Sequence, residues 1–482
     1  MNQRKNCHRF QLIRSFFPSL NDQKYLRVAP VQRLAVINVV GLSSGLLGEA
    51  TPRLTKFVEE QGMQTFPPAF PAVTCTAQSN MLTGKNPSTH GIVANGWYDT
   101  EGCEVKFWKQ SNRLVHGEKI WDVLHQRDPS FTCANLFWWY NMASTADITI
   151  TPRPLYLADG KKSFDIHTQP MGLRESIKAD LGEFPFPSFW GPAAGIACSQ
   201  WISRSAQWIE KHHAPQLSLV YLPHLDYGLQ KFGPAAPEIT QELRDIDAIV
   251  GELLDFYQRN NVRVIIVSEY GISAVDHPIH INRELRKAGL LSIKEELGRD
   301  GLDVFMSDAF AVADHQMAHV YVREKDRIAE VKKLLENIPG VEKVMRSEEI
   351  WTHGIATARA GDLVAITKAG SWFTYYFWES DEQAPDYART VDIHRKPGYD
   401  PVELFLDPSI NFPKLKIAQF LLKKKLGFRA LMEVIPLDAT LVKGSHGRSD
   451  VPASEKPLVI GAKNTISAAE DIFDEILHHF FP

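Results

Sequence analysis

A chain of 482 residues, 44% hydrophobic and 23% charged, has an ordinary globular composition and is longer than one core usually supports. Its formal net charge of −4, with no long basic block, lacks the electrostatic footprint of a nucleic-acid binder, so no nucleic-acid polymer is expected as a partner. Five scattered cysteines (Cys7, Cys75, Cys103, Cys133 and Cys198) are odd in number and never paired at a zinc-site spacing; they argue against a disulfide framework and for the reduced cytoplasm.

The first thirty residues are basic, and their one apolar patch, FQLIRSFF, is broken by Arg14 and ended by Pro18. The patch is too interrupted for a signal peptide. No run of about 18 apolar residues follows anywhere, so no transmembrane segment is expected. Residues 1–30 read as a loosely ordered extension, with an interfacial helix as the alternative, and residues 31–482 read as the folded body.

RLAVINVV (33–40) is a continuous β-branched run, the pattern of a strand buried on both faces, and it turns sharply at GLSSG. In TPRLTKFVEEQGM, Thr51 is placed to cap a helix, Pro52 to open it, and Leu54, Phe57 and Val58 to bury one face. PAVTCTAQSNMLTGKNPSTHGI (71–92) packs small hydroxyl residues, amides and a cysteine with no charge before Lys85. It is either a buried loop or a helix start that presents a nucleophile. Between 97 and 195 the texture turns aromatic and proline-rich, as in LFWWYNM and FPFPSFW, which fits core packing or the wall of a pocket.

LSLVYLP (217–223) and VRVIIVSEYG (262–271) are further buried strands, separated by the amphipathic ELRDIDAIVGELLDFYQRN. The alternation predicts an α/β fold with a doubly wound, mostly parallel sheet flanked by helices. Ligands of such sheets sit beyond the carboxyl ends of the strands, where NVVGL, YLPHLD and VSEYG all lie. Residues 305–380 read as a smaller α+β lobe, and 404–429 as a loop followed by a helix.

Five motifs in this order resemble the alkaline phosphatase superfamily, specifically its type I phosphodiesterase/nucleotide pyrophosphatase branch, with phosphonoacetate hydrolase a near relative. They are the first strand with its GL turn, T…MLTGKNPSTHGI, YLPHLDYGLQKFGP, VSEYG and GSHGRSD. The resemblance runs from about residue 33 to the C-terminus and implies an alkaline-phosphatase-like hydrolase domain.

In that family a threonine nine residues before the threonine of TG is the nucleophile at a helix N-terminus, which makes Thr74 the candidate, with Thr76 the alternative within the motif and a plain capping role the other reading. The family's asparagine three residues later is Ala77 here, leaving Gln78 or Asn80 to contact the transferring group. Two divalent metals, usually zinc, are implied. The resemblance puts Asp226 and His446 on one site and Glu269 on the other, but Gln230 and Tyr270 stand where imidazoles are expected and Val40 where an aspartate is.

Two repairs are open. Other residues would fill in, drawn from His224, His277, His280, DHQMAH (314–319) and DIH (392–394), or one harder cation such as magnesium or manganese would sit on Asp226 and Glu269. Arg395 and Lys396, and Lys443 and Arg448 around His446, are cations placed to neutralise a phosphoryl group, or plain surface charges. The expected function is therefore metal-dependent hydrolysis of phosphodiester, phosphomonoester or related phosphoryl bonds on a small molecule through Thr74. The alternative is a pseudoenzyme that binds a phosphorylated or aromatic ligand, or a protein partner.

Overall fold

The computed structural model describes residues 32–158, 162–352, 354–428 and 430–482. The extension expected over 1–30 lies outside them. In chain order the strands used below are β1 (Arg33–Val39), β2 (Met63–Thr65), β3 (Cys133–Leu136), β4 (Ile148–Tyr156), β5 (Lys162–Gln169), β6 (Leu217–Leu222), β7 (Val262–Val267), β8 (Ala309–Asp314), β9 (Met317–Val322), β10 (Val341–Arg346), β11 (Leu363–Thr367) and β12 (Leu458–Ile460). The helices are α1 (Pro52–Gln61), α2 (Thr74–Thr83), α3 (Ile196–His213), α4 (His224–Phe232), α5 (Ile239–Arg259), α6 (Ile328–Glu336), α7 (Pro413–Lys425) and α8 (Asp471–Phe480).

An eight-stranded sheet in the order β2-β12-β7-β1-β6-β3-β4-β5 forms the body. Its centre, β7-β1-β6-β3-β4, is parallel, and antiparallel strands close both edges. β1 occupies the middle because all but its first residue is buried, and only a strand covered on both faces tolerates so unbroken an apolar run. Leu34 pairs Leu217 on one side and Arg263 on the other, so β1, β6 and β7 end level with one another.

α1 starts at Pro52 as expected, but its cap has a different origin. Asp247 of α5 accepts from the Arg53 and Leu54 N–H groups (3.0 and 2.8 Å). Thr51 turns its hydroxyl back on Gly48 instead. The 71–92 stretch resolves as a helix: all ten residues of α2 are buried. Its hydroxyls satisfy themselves inside the core, Ser79 donating to Cys75 O and Thr83 to Ser79 O (2.7 Å each). Gly84, in the left-handed region at φ 62°, ends the helix with its N–H on Asn80 O.

Within 309–367 a four-stranded antiparallel sheet, β8-β9-β11-β10, packs with α6 on a second apolar cluster. No helix among the described residues is long and apolar enough to cross a membrane.

Two buried histidines tie α2 and this lobe to the loop between them. His90 Nε2–H donates to Asn80 Oδ1 (2.8 Å) and Nδ1 accepts from Ile92 N–H (3.0 Å). His319 Nε2–H donates to Val93 O (3.1 Å) and Nδ1 accepts from Gly361 N–H (3.2 Å). A neutral imidazole satisfies both partners, whereas a second proton would face a backbone N–H. Burial accordingly lowers His90 to about 3 and His319 to about 4. The unfolded chain takes up its protons first as pH falls through ~6.5, so this stabilisation is whole above that value and is lost below it. NMR of the folded chain is expected to show both imidazoles neutral down to pH ~5, and a midpoint near ~6.5 for either would refute the pairing.

Candidate functional site

The loops at the carboxyl ends of β1, β6 and β7 converge on one floor. β1 delivers Val40 and Gly41; β6 passes through Pro223 into α4, which carries Asp226 and Gln230; β7 delivers Glu269 and Tyr270. α2 enters from the side with Thr74 as its first residue. This is the ligand edge of a doubly wound sheet.

Here the side chains form a continuous chain of hydrogen bonds. Tyr270 OH donates to Asp226 Oδ1 (3.3 Å) and lies 2.9 Å from Thr74 Oγ1, which donates to it. Gln230 Nε2 donates to Asp226 Oδ2 (2.7 Å), and Tyr399 OH donates to Gln230 Oε1 (2.8 Å). Beside it four rings stack. Tyr270 lies on His446 (3.7 Å between centroids), His446 against His315 (3.7 Å), and His315 on Tyr399 (3.6 Å). His446 Nδ1–H is spent on Ala72 O (2.7 Å), leaving Nε2 3.9 Å from Asp226 Oδ1. His315 Nδ1 meets Asp314 Oδ1 (2.7 Å), and its buried Nε2 has no hydrogen-bond partner.

Glu269 is separately wrapped. The amides of Asn38 and Gln78 both donate to its Oε1 (2.5 Å each), and Gln78 is oriented by accepting from Trp139 N–H (2.7 Å). Burial pushes Asp226 up to about 7 and Glu269 to about 8, each resisted by these donors. Burial also lowers His315 and His446 well below the ordinary imidazole value. Burial thus favours the neutral forms of both carboxyls and both imidazoles of the floor.

A divalent-metal centre needs deprotonated carboxylates and imidazoles whose lone pairs converge. Here both oxygens of Asp226 accept from neutral donors, and those donors, Tyr270 and Gln230, occupy the positions where imidazoles were expected. Val40 is buried and offers no lone pair. Glu269 is bound to amides. Among the described residues no group of three or more His, Cys, Asp and Glu side chains is arranged to hold a metal ion. The residues present do not fit the family's two metals.

The other expected contacts divide. Asn80 does not line the cavity; it is turned into the body, bonded to Glu470 (2.9 Å) and His90. Lys396 does not line it either, because its ammonium is buried between Asp400 and Glu403 (2.7 Å each). Arg395 does line it, near the outside, paired with Asp386 (3.3 Å). Of the histidines held in reserve, His315 joins the floor and His394 lines the cavity, while His280 is bonded to Thr374 and His319 to Val93. Tyr399 and Asn38 were not anticipated.

Above the floor opens a cavity of about 970 Å³ with mostly apolar walls. Trp108, Trp139, Phe189 and Trp190 from the aromatic stretch line its depth, and α7 with the β4–β5 hairpin lines its outer part. The pocket-wall reading of that stretch thus holds for these side chains, while Trp121 and Trp138 are packed into the core.

A sequence profile described as "Type I phosphodiesterase / nucleotide pyrophosphatase" matches residues 34–400. The chain belongs to this family. An uncharacterised pyrophosphatase/phosphodiesterase of Schizosaccharomyces pombe is 28% identical over 236 residues, covering 46% of this chain and 41% of the relative. Ectonucleotide pyrophosphatase/phosphodiesterase 1 of Saccharomyces cerevisiae is 24% identical, covering 44% and 29%. The matched region thus spans less than half the length of either relative. Phosphonoacetate hydrolase from Sinorhizobium meliloti, solved with phosphonoformate, superposes with a TM-score of 0.58 at 13% identity, covering 93% of this chain and 96% of its own. Murine ectonucleotide pyrophosphatase/phosphodiesterase 5, solved as an inactive variant with AMP, gives 0.55 at 15%, covering 93% and 95%. At these identities the likeness carries the fold, and the fold is the alkaline-phosphatase-like one expected.

Proposed function

We propose that this member of the family binds a small phosphoryl ester with an apolar or aromatic body in the cavity, and does so without resident divalent metals. The observation that carries the reading is the Tyr270 hydroxyl, lying between Thr74 and Asp226 and bonded to both. A threonine hydroxyl attacks only when a metal or base takes its proton. The partner here is a phenol that burial keeps neutral, backed by a carboxyl that burial has raised to about 7. A transferring phosphoryl group also needs fixed positive charge, and the nearby buried ammonium, Lys396, is neutralised by two carboxyls. The free edges of the walls are aromatic, which suits an apolar body.

A second reading, threonine-dependent hydrolysis as the family implies, is favoured by Thr74 standing at the first position of α2 on the cavity floor. One pair of measurements separates the two. Naphthyl phosphate or decyl phosphate is expected to quench the fluorescence of the lining tryptophans saturably, while an aryl phosphodiester with added zinc or manganese is not turned over. Metal-stimulated turnover that Thr74→Ala abolishes would establish the second reading instead.

A further inference from the structure

Helix α7 is apolar on two faces. Ile417, Phe420 and Lys424, at helical spacing, are half-buried and line the cavity, with Leu421 at its exposed rim. Leu415, Leu422 and Leu426, at i, i+7 and i+11, form a second stripe and are exposed to 57, 57 and 65%. No residue of this helix is buried, and the stripe continues into Phe412, exposed to 73%. Among the described residues nothing covers Leu415, Leu422 and Leu426. Beside the stripe lies the end of β4, with Tyr156 and Leu157 exposed, and Lys424 Nζ donates to Lys162 O (3.0 Å) at the start of β5.

The charge along the helix has one sign. Lys414, Lys416, Lys423, Lys424 and Lys425 lie within α7, and from Pro408 to Met432 there is no aspartate or glutamate. We infer that the outer face of α7, with the exposed Tyr156 and Leu157 beside it, is a docking surface for an anionic lipid bilayer, and that the cavity behind it opens toward the bilayer. An apolar stripe flanked by lysines gains from both acyl burial and the negative surface potential. A second copy of the chain suits it poorly, since a two-fold contact would set these lysines against their own equivalents. The same helix walls the cavity, so an amphiphile in the leaflet has an apolar path inward that does not cross water. Docking is read without any cavity ligand, so it stands or falls separately from the function proposed above.

The full chain is expected to sediment with phosphatidylcholine vesicles containing phosphatidylglycerol, and less with phosphatidylcholine alone. A Leu415→Ser/Leu422→Ser/Leu426→Ser variant, whose changes are all at exposed positions, should keep the wild-type circular dichroism and melting curve yet bind about tenfold more weakly or worse. A Lys423→Glu/Lys425→Glu variant should lose only the preference for anionic vesicles, as should the wild type in high salt. Three results would overturn the assignment. They are a wild type that does not sediment, variants that bind like it, and a lipid-free wild-type dimer that the serine variant converts to monomer.

Discussion

Zinc is expected to raise the melting temperature of a Val40→Asp/Gln230→His/Glu269→Asp/Tyr270→His variant and to leave that of the unaltered chain where it is. Each change replaces an absent or weak donor at the floor with a carboxylate or imidazole of the kind zinc takes. Tyr270→His also removes the phenol between Thr74 and Asp226, and Gln230→His frees Asp226 Oδ2 from an amide donor. Without metal the variant pays for this, because two imidazoles and two carboxyls then sit in a buried floor with their partners removed. Metal that binds only the folded state recovers about 2.7 kcal/mol at a hundredfold excess over its dissociation constant, a rise of roughly 3 °C for a chain of this size. A wild type that responds as strongly would refute the metal-free reading. A variant that does not respond would mean that the loops have moved apart as well as changed their side chains.

That experiment follows from how unevenly the site could be read from the chain. The strands and helices around it were legible because each has a clean period: β1, β6 and β7 as unbroken apolar runs, α5 as an amphipathic stripe. Gly41 and Gly271, bridged to one another at the sheet edge, mark where two of those runs stop. Thr74 followed from motif order, and α2 does begin there. What the pattern did not carry was direction.

Asn80 lies six residues beyond Thr74, well round the helix, whereas Gln78 at four residues shares its face, and it is Gln78 that reaches Glu269. Helical phase alone would have favoured Gln78. Asn38 also left a trace, as an amide inside a strand buried on both faces, which must find a polar partner there. His315 was reached only as one of a reserve of histidines, and Tyr399 left no trace. The first sits in a tight turn at φ 63° between β8 and β9, and the second in an irregular loop. In both places the backbone's path, which has no sequence period, aims the ring.

Lys396 gives the sharpest separation between a binding role and a structural one, and Lys396→Met is expected to cost about 3–5 kcal/mol of stability. Its ammonium lies within 2.7 Å of both Asp400 and Glu403, all three buried, and the Tyr375 ring stands 6.0 Å away. Burial by itself would lower the Lys396 pKa; the two carboxylates more than offset that and hold it above its ordinary value. Glu403 has further duties, accepting from Trp190 Nε1 (2.5 Å) and Asp392 N–H (3.0 Å), and Trp190 is part of the cavity wall.

Methionine fills the space of the lysine stem but leaves two buried carboxyls facing each other without a cation, so one must take a proton or the segment must open. Adding Asp400→Asn and Glu403→Gln removes the stranded charges while keeping acceptors for Val402 N–H and Trp190, and should recover most of the loss. Urea unfolding of the single and triple variants measures both effects. If Lys396→Met instead unfolds with the wild type and only its affinity for naphthyl phosphate falls, the ammonium is a ligand contact after all, and the cavity floor carries the positive charge that this arrangement denies it.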